Sequence, residues 1–126
     1  MPTKTILVED SIRIREVLIP SMEELGGMRV VAVAETVEEA TAAFERHGLH
    51  WDVAIVDLFL RQGSGLDVLR ACRHRLPHQH VIMLTNYATA EVRGRCLSLG
   101  ADAVFDKSTE LDAFFELCAS YERSAP

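Results

Sequence analysis

Hydrophobic and polar positions along this chain alternate between two patterns, and the alternation repeats five times. Short apolar runs rich in β-branched residues, the mark of strands covered on both faces, fall at 5–8, 29–34, 53–56, 81–84 and 103–105. Each is followed by a stretch with helical spacing. Ile12, Val17, Leu18, Met22 and Leu25 form the first stripe, and a second helix is predicted over 37–47. Leu66, Val68, Leu69 and Cys72 mark the third, ending near Arg75 ahead of Pro77, and the fourth is predicted over 88–99. Leu111, Phe114, Phe115, Leu117, Cys118 and Tyr121 mark the last, over 110–122. Ser11 and Thr36 stand where N-caps are needed, and Gly26-Gly27, Gly48 and Gly100 stand where helices stop. Pro20 breaks the pattern. Lacking an N–H and crowding the preceding turn, it is expected to kink or interrupt the first helix.

Five β-then-α units with no repeat, linker or low-complexity segment imply parallel strands joined by right-handed crossovers, with helices on both faces. The predicted fold is α/β, a three-layer doubly wound five-stranded parallel sheet. Its strand count fits the flavodoxin-like order rather than a six-stranded dinucleotide fold. At 126 residues the chain has the size of one domain, 1–126.

Charge narrows the function classes. Thirteen Lys and Arg against nineteen Asp and Glu leave a net −6, which argues against a nucleic-acid surface, since phosphate backbones are bound by clustered cations. Three cysteines, Cys72, Cys96 and Cys118, are an odd number within apolar-periodic segments, as expected for buried thiols in a reducing cytosol. No apolar run reaches the length of a signal-peptide core or a membrane span. The expectation is a cytoplasmic protein with no membrane contact.

Chemistry collects where the strands end. Glu9-Asp10 closes the first strand, Asp57 the third, Thr85 the fourth and Lys107 follows the fifth. Open α/β sheets bind ligands along that carboxyl edge. Three carboxylates brought together repel one another and need a cation, and hard oxygen donors suit Mg2+. With the ion and the Lys107 ammonium in place, Asp57 can accept a phosphoryl group while Thr85 hydrogen-bonds a phosphoryl oxygen. Glu35 ends the second strand and takes no part in this reading. His74, His78 and His80 surround Pro77 without the cysteine or acid that would complete a zinc set, and Gly63 and Gly65 read as turn formers rather than a nucleotide loop.

Five segments in order, Ile6-Leu7-Val8-Glu9-Asp10, Val56-Asp57-Leu58, Gly63-Ser64-Gly65-Leu66, Leu84-Thr85 and Gly100-Ala101-Asp102-Ala103 through Asp106-Lys107, resemble the receiver domain of two-component response regulators. The resemblance spans nearly the whole chain. It implies a phosphorylation-controlled switch in a phosphorelay, with Asp57 taking phosphate from a sensor histidine kinase or phosphotransfer protein. It further implies that Asp10 and Asp57 ligate Mg2+ with the main-chain carbonyl of Phe59, and that Glu9 acts on the ion through water. Thr85 and Phe105 would be the switch pair, the hydroxyl moving toward phosphate and the ring turning inward. A downstream protein or a second copy would read the face made by the fourth helix, fifth strand and last helix. No separate substrate is implied, only self-phosphorylation and dephosphorylation.

Four features depart from the family pattern, the last of them a pair of residues. Arg61 replaces a frequent proline and is expected to alter only a loop. Ser108 follows Lys107 where the family has a cis-bonded proline; a cis bond before serine would cost about 2.5–4 kcal/mol. Asn86 is larger than the small residue usual after the threonine. Phe59 and Tyr87, two positions beyond Asp57 and Thr85, flank the path of a hydrolytic water, so both, with Asn86, are expected to tune the phosphate lifetime. The alternative function is an interaction module of the same fold that takes no phosphate. An aspartate-nucleophile phosphatase would want a second acid where Phe59 stands.

Overall fold

The structure is a computed structural model and describes residues 2–124. Five strands, β1 (Thr3–Val8), β2 (Met28–Ala34), β3 (Val53–Asp57), β4 (His80–Thr85) and β5 (Ala103–Asp106), form one parallel sheet in the order β2-β1-β3-β4-β5. The helices are α1 (Ile12–Leu25), α2 (Val37–His47), α3 (Gly65–Ala71), α4 (Ala90–Ser98) and α5 (Leu111–Ser124). This is the flavodoxin-like arrangement expected from the pattern. β3 lies in the middle and every one of its residues is buried, which is why its sequence carries no polar alternation.

Two apolar layers flank the sheet. On one side Ile6, Val8, Ala54, Val56 and Met83 pack with Ala40, Phe44, Val68 and Leu69 from α2 and α3. On the other side Leu7, Ile55, Ile82 and Leu84 pack with Leu18 and Met22 from α1 and Phe114, Phe115 and Cys118 from α5. Leu117 and Tyr121 also pack against this second layer, so the broad apolar surface of the last helix faces the core. The three cysteines are free and buried. Among the described residues no helix is long and apolar enough to cross a membrane.

Pro20 does not interrupt its helix. α1 runs continuously from Ile12 to Leu25 with Pro20 on its exposed side. The carbonyl of Glu16, which loses its intrahelical donor, belongs to an exposed turn that water can solvate. Burial of Leu18 and Met22 offsets the interior-proline cost of about 3 kcal/mol. The third helix is shorter than expected: α3 closes at Ala71 and Cys72–His74 continue as turns.

Register brings the chemistry together. Val8 pairs with Val56, so Glu9 and Asp57 follow side by side; Asp57 pairs with Leu84, and Thr85 with Asp106. One residue beyond these pairs lies Lys107. A single step of slip in any strand would turn its terminal side chain to the other face.

Candidate functional site

At the carboxyl edge Lys107 reaches across β4 to the two central acids. Its Nζ lies 2.7 Å from Glu9 Oε1 and 3.2 Å from Asp57 Oδ1. Glu9 is almost wholly buried at 2% exposure, and its other oxygen accepts the amide of Ser11 at 3.1 Å. Asp57 is buried too, and its Oδ1 also accepts the amide of Phe59 at 3.4 Å. Burial pushes the Asp57 carboxyl up to about 6; Lys107 opposes that rise and Glu9 adds to it. Desolvation thus disfavours charge on Asp57, while the Lys107 ammonium beside it favours that charge.

Asp10 is the third acid. Carboxylate oxygens of Glu9, Asp10 and Asp57 lie within 4.8 Å of one another. Three hard oxygen donors at that spacing could hold a small divalent cation. The backbone N–H of Arg61 donates to Asp10 Oδ2. Arg61 therefore does more than alter a loop, because a proline there would have no N–H to give. Glu35, left without a role by the sequence, accepts Arg15 Nη1 at 2.8 Å, while the same nitrogen donates to the main-chain carbonyl of Glu9 at 2.6 Å. That guanidinium fixes the backbone from which Glu9 and Asp10 project.

Thr85 is fully buried at the end of β4; its hydroxyl oxygen accepts the amide of Tyr87 at 3.0 Å, and its carbonyl accepts the amide of Lys107 at 3.0 Å. Phe105 on β5 is half-buried, its ring edge-on to Phe114 with centroids 5.9 Å apart. Phe59 and Tyr87 are both exposed, yet their rings meet edge to face at 5.1 Å between centroids. Two loops from neighbouring strands are thereby joined beside Asp57. Asn86, between Thr85 and Tyr87, is exposed.

The Lys107–Ser108 peptide is trans, as are all peptide bonds among the described residues. Sequence reasoning missed what holds this loop. Asp106 Oδ1 accepts both the amide of Ser108 at 2.8 Å and its hydroxyl at 2.5 Å. An acid two residues before a serine, just past a strand, is the signal that would have found this turn.

The sequence matches the response regulator receiver domain over residues 5–119. The chain belongs to that family. Among curated relatives, this receiver domain is 31% identical to the response regulator protein PilR of Pseudomonas aeruginosa over 93% of the chain, and 35% identical to the acid tolerance regulatory protein ActR of Rhizobium meliloti over 88%. The chain spans 25% of the length of PilR and 56% of ActR. Its fold also matches the CheX-CheY-BeF3-Mg+2 complex of Borrelia burgdorferi, with TM-score 0.79 and 19% identity, covering 93% of this chain and 90% of that one. The receiver fold of two-component response regulators accounts for the strand order and for the edge on which the acids, Thr85 and Lys107 meet.

Proposed function

We propose that this receiver domain is a signalling switch in which Asp57 takes a phosphoryl group from a sensor histidine kinase or a phosphotransfer protein. The observation that carries this reading is the placement of the Lys107 ammonium 3.2 Å from the buried carboxyl group of Asp57. A carboxylate oxygen of Asp57 attacks phosphorus, the O–P bond forms, the N–P bond to the donor histidine breaks, and the released imidazole is protonated. Lys107 neutralises charge on the transferring group, and the Thr85 hydroxyl donates to one of its oxygens. Asp10, Asp57 and the Phe59 carbonyl would hold Mg2+, with Glu9 acting through water, as its contacts with Lys107 and Ser11 favour an indirect role. A bound Mg2+ would supply the remaining charge neutralisation. The acid cluster supports this, and CheY of Borrelia burgdorferi was solved with BeF3 and Mg+2.

Once Asp57 is phosphorylated, Thr85 would give up the Tyr87 amide for the phosphoryl group and Phe105 would turn inward. The face of α4, β5 and α5 would then change for a downstream protein or a second copy. The chain acts as one receiver domain over 1–126, with no nucleic-acid or membrane surface of its own and a cytoplasmic setting. Incubation with acetyl phosphate and Mg2+ should add one phosphoryl group to the intact mass, and Asp57→Asn should abolish it. Absence of the adduct with both acetyl phosphate and a kinase would leave the phosphate-free interaction module as the reading.

Phe59 and Tyr87 would lengthen the phosphate lifetime by covering the path of the hydrolytic water, with Asn86 narrowing the same approach. Replacing the ring pair by Phe59→Asn with Tyr87→Glu opens that path and introduces groups able to orient water, so the half-life should fall by at least about tenfold. An unchanged half-life would remove shielding as the explanation.

A further inference from the structure

Lys107 sits in a loop whose neighbours on both sides are tied down by side chains. Before it, the Asp106 amide donates to Glu110 Oε1 at 2.9 Å, and that oxygen also accepts Arg93 Nη2 at 2.6 Å. After it, Ser108 donates its amide and hydroxyl to Asp106 Oδ1. The Asp106 carbonyl accepts the Glu110 amide at 2.9 Å, joining the loop to the start of α5. Arg93 in turn donates to the carbonyls of Ala88 at 2.9 Å and Val104 at 3.0 Å, which anchors Glu110 to the rest of the edge.

We propose that Asp106 is a positioning residue for Lys107: its carboxylate closes the turn through Ser108 and so aims the ammonium at Glu9 and Asp57. The inference rests on the phosphoacceptor reading of Asp57 for its kinetic consequence, not for its geometry. A lysine side chain has four rotatable bonds, so its head stays on two buried carboxylates only if the backbone beneath it is fixed. The acceptor role needs an oxygen at Oδ1, not a charge, and asparagine supplies one. Hydrogen bonds from Ser108 also hold the Asp106 carboxyl below the usual carboxylate range.

The chain has only two lysines, Lys4 and Lys107, so 13C labelling at lysine ε-carbons gives two signals that Lys4→Arg assigns. Lys4 is exposed and marks the free position, from which Lys107 should be displaced in the native protein. Asp106→Ala should move the Lys107 signal to the free position, Ser108→Ala part of the way, and Asp106→Asn should leave it in place. Adduct formation from saturating acetyl phosphate should fall about tenfold in Asp106→Ala and recover in Asp106→Asn. An unmoved Lys107 signal in folded Asp106→Ala, or an Asp106→Asn protein that behaves like the alanine variant, would overturn the proposal. If the native protein forms no adduct, the reading of Asp57 falls while the lysine spectrum still decides whether Asp106 positions Lys107.

Discussion

Gly65→Ala is expected to destabilise the protein by about 3 kcal/mol and to disable Asp57, although the change adds one methyl group. A Cβ on Gly65 would meet the carbonyl oxygen of Asp57, with the Leu58 Cα at 2.8 Å and the Asp57 carbonyl carbon at 3.0 Å. These are main-chain atoms at the end of the central strand, so no side chain can swing aside to relieve the overlap. The Gly65 amide also donates to the Leu58 carbonyl at 2.8 Å, which fixes the approach of α3 to β3. Either that contact opens or the end of β3 shifts, and the second displaces the carboxylate that Lys107 touches. Urea unfolding measures the stability loss, and the rate of adduct formation measures the effect on the site. A Gly65→Ala protein within about 0.5 kcal/mol of the parent would show that this approach is loose.

Lys107→Ala should slow adduct formation by about 10²–10³-fold, the usual loss when one preorganised donor to a developing negative charge is removed. Its pH dependence should move as well. Lys107 opposes the burial that raises Asp57 from 3.8 to about 6, so removing it raises the carboxyl further, and the rate should reach its plateau at higher pH than in the parent. The sign for stability follows. A carboxyl that binds its proton more tightly in the folded state is most favourable to folding below about pH 4, and that contribution is lost as pH rises through about 6. In Lys107→Ala that loss should continue to higher pH. A variant with unchanged rate and unchanged pH profile would show that the ammonium does not act on Asp57.

The sheet and the identity of its terminal residues were legible because both depend on local pattern. A fully buried central strand has no polar alternation, so β3 announced its position and its ending at Asp57. What the chain order could not show was how donors far apart in sequence are shared. Arg61 bonds Asp10 through a backbone N–H, which no residue-type argument reveals. Glu35 matters through Arg15, which spans its carboxylate and the Glu9 carbonyl. Pro20 does not end its helix because the penalty for an interior proline is local, whereas the burial of Leu18 and Met22 that offsets it is tertiary. Ser108 looked like the loss of a proline; the structure shows a trans peptide and a turn closed by Asp106.

The phosphoryl group is expected on Asp57 and on none of the acids beside it. Borohydride reduces an acyl phosphate on aspartate to homoserine, which peptide mapping places in the sequence. After treatment with acetyl phosphate and Mg2+, the prediction is homoserine at position 57, with Glu9 and Asp10 unreduced. Reduction at Asp10 or Glu9 instead, or a phosphorylated protein with an unreduced Asp57, would contradict it.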